Sequence, residues 1–133
     1  MSIKSKGTNA ERQLLHMFWA KGWACLRSAG SGSMRYPGPD LLVGNKEKNR
    51  RLAIECKTTS KDKIYLGDYD FNQLKEFSDI FDSTPYFAVK FPKKDWLFLR
   101  LDELMRSEKH TISIDYAELN GILISELLSY EIK

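Results

Sequence analysis

The stretch Arg51-Leu52-Ala53-Ile54-Glu55-Cys56-Lys57-Thr58 has the apolar content of a buried strand, yet carries two charges in its second half. Side chains alternate across a strand with a period of two, so Leu52, Ile54 and Cys56 share one face. Ala53, Glu55 and Lys57 share the other, which places Glu55 and Lys57 side by side. A salt-bridged pair on a solvated face would produce the same pattern, and Glu-x-Lys alone is close to chance in a chain of ordinary composition. Upstream, Leu41-Leu42-Val43-Gly44 reads as a short apolar strand and Asn45 to Arg50 as a charged turn. The two strands therefore form a hairpin. Asp40, at the head of the first strand after Pro39, can then lie near Glu55. Its ordinary alternative is a turn aspartate following proline.

Further out, residues 8–22 read as a helix capped by Thr8 or Asn9 and ended by Gly22. At about 100° per residue, Leu14, Leu15, Phe18 and Gly22 all fall within about 60° of Glu11. Glu11 thus sits in the middle of the apolar stripe, where an unpaired carboxylate is costly and asks for a cation, a hydrogen-bond network or a metal. The competing explanation is a first-turn glutamate favoured by the helix dipole. Residues 23–29 read as a strand and Gly30-Ser31-Gly32-Ser33 as a flexible loop running to Pro37-Gly38-Pro39, where helix is forbidden.

Downstream of a polar loop, Asp68 or Asp70 can cap a helix that runs to about Asp82 with the stripe Phe71, Leu74, Phe77, Phe81. Residues 85–91 and 96–101 read as strands about the turn Pro92-Lys93-Lys94-Asp95, and 102–107 as one helical turn. Ile112, Ile114 and Tyr116 alternate with polar residues, which predicts a half-buried strand over 111–117. Ser125 can cap a short last helix. The order α-β-β-β-α-β-β-β-α is that of an α/β sandwich with a mixed sheet. Its 133 residues suit one domain, 1–133, with no repeat or linker.

The net charge of +3 conceals a split. Residues 1–63 hold 13 Lys/Arg against 5 Asp/Glu, and residues 64–133 hold 8 against 13. A basic half can be the footprint of a phosphate backbone, or simply solvated surface. Lys4, Lys6, Arg12, Arg27, Arg35, Lys61 and Lys63 can line a nucleic-acid track, which would position DNA without reading its sequence. The two cysteines, Cys25 and Cys56, do not make a disulfide framework. No apolar run approaches the roughly 20 residues of a membrane span, and the N-terminus lacks a signal-peptide core. A cytoplasmic, nucleoid-associated protein with no membrane partner is expected.

Two carboxylates on adjacent strands can hold Mg²⁺, a hard ion that prefers oxygen ligands. Glu11 can add a third, directly or through water. Lys57 beside them can orient or help deprotonate an attacking water and stabilise charge on a phosphate. Ligands, a water activator and a charge clamp are the parts of metal-assisted phosphodiester hydrolysis. Zinc-finger spacing of Cys and His is absent, as are a P-loop, a dinucleotide fingerprint and a Gly-x-Ser-x-Gly elbow.

Pro39-Asp40 with Glu55-Cys56-Lys57 resembles the PD-(D/E)-x-K nuclease superfamily. The ordered set Lys6-Gly7-Thr8-Asn9-Ala10-Glu11-Arg12, Arg27-Ser28-Ala29-Gly30-Ser31-Gly32, Pro39-Asp40 and Ile54-Glu55-Cys56-Lys57 is more closely similar to the archaeal Holliday junction resolvases. Ile64-Tyr65-Leu66, Leu74-Lys75-Glu76-Phe77-Ser78 and Ala88-Val89-Lys90-Phe91 fit as well, so the resemblance covers about residues 4–101. It implies a restriction-endonuclease-like fold and a symmetric homodimer that nicks two opposed strands of a four-way DNA junction, using Mg²⁺ or Mn²⁺. It also implies that Asp40 and Glu55 ligate the metal, that Glu11 supports the site, and that Lys57 is the catalytic lysine. By the same resemblance Ser31 assists catalysis, and Arg12 and Arg27 contact DNA. Phe77 and Phe81, one turn apart, are either core or dimer interface. The stretch from Ser33 to Gly38 is longer than in some relatives, the last third matches poorly, and accessory recombination proteins leave no readable signal. A sequence-specific restriction-type endonuclease and a non-catalytic DNA-binding module on the same fold are the alternatives.

Overall fold

The computed structural model describes residues 3–28 and 35–129, the first four as backbone only. The elements are α1 (Ile3–Ala20), β1 (Ala24–Arg27), β2 (Leu41–Asn45), β3 (Arg50–Thr58), β4 (Lys63–Tyr65), α2 (Asp68–Phe81), β5 (Thr84–Lys90), β6 (Leu97–Arg100), α3 (Leu101–Arg106), β7 (Thr111–Ser113), α4 (Ile114–Asn120) and α5 (Ile124–Ser129).

Five strands form one mixed sheet in the order β1-β2-β3-β5-β6, and β4 pairs with β7 in a small separate sheet. The predicted hairpin is present: β2 and β3 are antiparallel, with Leu41 opposite Ile54 and Asn45 opposite Arg50. β3 then runs parallel to β5, a pairing that needs a crossover and receives one through β4 and α2. Being central, β3 is covered on both faces, which explains its nearly continuous apolar character. Leu52 and Ile54 enter a core with Leu14 and Phe18 of α1 and Leu127 of α5. Ala53 enters the opposite core with Phe71 and Leu74 of α2, Leu104 of α3 and Ala117 of α4. The period-two reading of β3 is therefore realised, with α1 and α5 on one face and α2, α3 and α4 on the other.

Several element boundaries differ from the sequence expectation. α1 begins at Ile3, so Thr8 and Asn9 lie inside the helix instead of capping it. Nothing in residues 3–8 forbids helix, and lysine is a good helix former. The helix does end as expected, with Gly22 at a φ of 84° that suits glycine. α2 is capped by Gly67, and Asp70 reaches back from the first turn to accept a hydrogen bond from the Gly67 N–H at 3.1 Å. The polar loop before α2 contains β4. The strand predicted over 111–117 stops at Ser113, whose hydroxyl accepts from the Tyr116 N–H at 3.1 Å and starts α4. A good N-cap defeats the alternating pattern there. Ser125 lies inside α5, and the Glu126 carboxylate takes the capping role by accepting from the Leu123 N–H at 3.1 Å.

Candidate active site

Asp40 stands just before β2 and is held from two sides. Its carbonyl accepts from the Ser28 N–H at 2.9 Å, and its Oδ2 accepts from the Cys56 N–H at 2.8 Å. The β2–β3 register continues to this point, so Asp40 faces the Glu55–Cys56 end of β3. Asp40 and Glu55 are both buried, at 6% and 9% exposure. Ionised carboxylates are rarely buried without partners. Glu55 accepts a hydrogen bond from Gln73 Nε2 at 3.3 Å and also shares a side-chain hydrogen bond with Asp40. Burial, then the adjacent Asp40 charge, pushes its pKa up to about 8. Burial also raises the Asp40 carboxyl, against the lowering effect of the Cys56 N–H and of Lys57.

Glu11 is turned inward from α1, as its place in the apolar stripe predicts. Its carboxylate lies 3.5 Å from Arg27 Nε. Burial and then Asp40 raise its pKa, while Arg27 lowers it. Glu11, Asp40 and Cys56 offer three ligand atoms within 4.8 Å of one another. Burial, followed by the surrounding carboxylates, raises the Cys56 thiol well above its usual pKa. A protonated thiol is a poor ligand for a hard cation, whereas the carboxylates of Glu11, Asp40 and Glu55 are good ones. Glu11, Asp40 and Glu55, buried or half-buried and with raised pKa values, are a set of carboxylates that could hold a metal ion.

Lys57 projects on the Glu55 face, but its ion-pair partner is Asp70, at 3.1 Å, and not Glu55. Asp70 and Gln73 both come from α2, in the acidic half of the chain. Sequence reasoning missed them because Asp70 resembled an ordinary cap and Gln73 an ordinary polar position. A fixed three-residue spacing on one helix face was the available signal.

The remaining expected residues are more dispersed. Arg12, Arg35, Lys61 and Lys63 are exposed, and Arg35 lies over the Tyr36 ring at 5.8 Å. Arg27 is half-buried against Glu11. Lys4 and Lys6 fall in the first turns of α1, with their side chains outside the described residues, as is Ser31. Phe77 and Phe81 stack at 5.3 Å, and Phe81 is 43% exposed. Phe77 is half-buried and packs against the α2-side core, so only Phe81 stands out toward solvent.

A mixed sheet that presents an aspartate at the head of one strand and Glu-x-Lys on its neighbour defines the restriction-endonuclease-like nuclease class. Within it, residues 2–132 match the family described as archaeal Holliday junction resolvase (Hjc), and the chain belongs to that family. It is 36% identical over 132 residues to a crossover junction endodeoxyribonuclease Hjc of Archaeoglobus fulgidus, covering 93% of this chain and 96% of that protein. It is 37% identical over 124 residues to the Methanocaldococcus jannaschii Hjc, covering 87% of each. The solved structure of Archaeoglobus fulgidus Hjc superposes with a TM-score of 0.80 at 36% identity, covering 90% of this chain and 96% of that one. Among the described residues, no helix is long and apolar enough to cross a membrane.

Proposed function

We propose that this chain is a single-domain, structure-specific endonuclease. It cuts four-way DNA junctions by metal-dependent phosphodiester hydrolysis, nicking opposed strands as a homodimer in recombination and repair. The observation that carries this reading is the meeting of Asp40, Glu55 and Lys57 at one end of the β2–β3 hairpin, with Glu11 brought to them by α1.

Asp40 and Glu55 would hold Mg²⁺ or Mn²⁺, with Glu11 supporting it directly or through water. When bound, such an ion polarises a phosphoryl oxygen and lowers the pKa of water. Asp40 is fixed for this task by the Ser28 and Cys56 amides. Lys57, held by Asp70, extends along the same face as Glu55 and can donate to a phosphate oxygen as negative charge builds there. In-line attack by water would form the new P–O bond and break the P–O3′ bond, the departing 3′ oxygen taking up a proton, to leave a 5′-phosphate and a 3′-hydroxyl. Lys4, Lys6, Arg12, Arg27, Arg35, Lys61 and Lys63 would grip the junction arms, and Ser31 would approach the scissile phosphate from its loop. Phe77 and Phe81, beside the 81%-exposed Ile80, would form the two-fold interface that sets two active sites on one face.

The test is cleavage of a labelled four-way junction with Mg²⁺, beside linear duplex and single strands. Asp40→Asn, Glu55→Gln and Lys57→Ala should each lower single-turnover cleavage by at least about 100-fold, with junction affinity kept. Full activity in the first two variants would sink the assigned site. Duplex cutting at one sequence without junction preference would point to a restriction-type enzyme.

A further inference from the structure

Gln73 is 9% exposed, in the middle of α2, and its side-chain amide is used at both ends. Its Nε2 donates to Glu55 Oε1 at 3.3 Å, and its Oε1 accepts from the Gly38 N–H at 2.9 Å. The chemistry of the partners fixes this orientation. The Gly38 N–H only donates, so it takes the amide oxygen and leaves the Gln73 NH₂ to face Glu55. Gly38 lies between Pro37 and Pro39, which have no N–H. Its amide is therefore the one backbone donor of the three-residue lead-in that delivers Asp40. Glutamine is the side chain that spans these two partners with the right polarity. Asparagine is one methylene short, arginine has no acceptor, and an ionised glutamate has no donor.

We propose that Gln73 is a positioning residue for the metal site: its amide clamps Glu55 and the Pro37-Gly38-Pro39 lead-in of Asp40 to one point on α2. The proposal rests on the reading of Asp40 and Glu55 as metal ligands. Groups that orient ligands from behind typically contribute about 10- to 100-fold in metal affinity. The clamp acts on two ligands from one side chain, so it sets the gap between them. One turn earlier on the same helix, Asp70 holds Lys57 at 3.1 Å. α2 thereby grips the ligand pair and the lysine from a single rigid face, and rigid elements hold such groups more closely than loops do.

The experiment measures Mn²⁺ binding to the DNA-free protein by counting free Mn²⁺ in its electron paramagnetic resonance spectrum. It compares wild type, Gln73→Met, Glu55→Ala and the double variant, with thermal unfolding recorded for each. Gln73→Met should weaken Mn²⁺ about 10- to 100-fold and slow single-turnover cleavage, while junction affinity in Ca²⁺ stays unchanged. Its effect on Mn²⁺ should shrink in the Glu55→Ala background, because the clamp acts partly through Glu55. A residue that only stabilised the fold would lower the melting temperature without this coupling. Gln73→Asn keeps an amide in the pocket and carries the same expectation if Gln73→Met does not fold. Wild-type Mn²⁺ affinity in a folded Gln73 variant, with Glu55→Ala weakened, would overturn the clamp alone. Wild-type affinity in Glu55→Ala would overturn the ligand assignment and the clamp with it.

Discussion

Glu55 is the residue with the largest consequence for how this protein responds to pH. Its side chain is buried beside Asp40, and its pKa is pushed from 4.5 to about 8. Between those values the folded chain keeps a proton that the unfolded chain has released. Stability of the metal-free protein must then fall as pH rises from about 5 and level off above about 8. Thermal unfolding in chelator at pH 5, 6, 7 and 8 should show the decline, and Glu55→Gln should flatten it while raising the melting temperature at pH 8. Adding Mn²⁺ should reverse the decline, since a ligand that binds only the folded state stabilises it. A metal-free melting temperature that rises steadily to pH 8 would contradict the buried-carboxylate picture.

At the level of elements, the C-terminal third is tied to the sheet by a residue far from it in sequence. Arg50 opens β3, is 5% exposed, and donates from Nη1 to the Leu127 carbonyl of α5 at 2.5 Å. Its guanidinium also lies 5.7 Å from the Trp23 ring centre. Hydrogen bonds from charged donors are among the stronger ones, and the carbonyls at a helix C-terminus need such a partner. Arg50→Met should therefore cost about 2–4 kcal/mol in urea unfolding, with α5 amides exchanging faster than those of β3. α4 shows a second such constraint. A Cβ at Gly121 would meet the Ala117 carbonyl at 2.6 Å and Leu97 Cβ at 3.1 Å, so α4 reaches the Ile122 bridge to Phe98 of β6 only through glycine.

For the whole molecule, the exposed end of α2 is the point at which one chain would meet another. Ile80 is 81% exposed and Phe81 43%, next to the half-buried Phe77. Such contiguous apolar surface marks an interaction site. Phe81→Asp, with Ile80→Asp as a second variant, should convert the proposed dimer to monomer in sedimentation velocity. Junction cleavage should then change from paired cuts to single nicks, while the melting temperature moves little. A wild-type sedimentation coefficient in both variants would place the interface elsewhere. The same helix carries Asp70 and Gln73 behind the proposed catalytic residues, so the proposed interface and the proposed clamp share one rigid rod.

The local periods in the sequence determined a good deal by themselves. A period of two in β3 put Glu55 and Lys57 on one face, a period of 3.6 turned Glu11 inward, and the short charged turn made β2 and β3 a hairpin with Asp40 at its head. Each of these depends on residues close together in the chain. The start of α1, the start of α4 and the short β4 were less legible, because caps and brief pairings compete with weak propensities over only a few residues. Tertiary structure alone decided the partners. Lys57 pairs with Asp70 across 13 residues, Glu55 with Gln73 across 18, and Gly38 with Gln73 across 35. Those contacts exist because the parallel β3–β5 pairing forces a crossover that lays α2 over the Glu55 face of β3. No local pattern carries that information, since it follows from how the sheet closes and not from any one segment. The opening stretch placed the charges; the crossover helix determined what holds them in position.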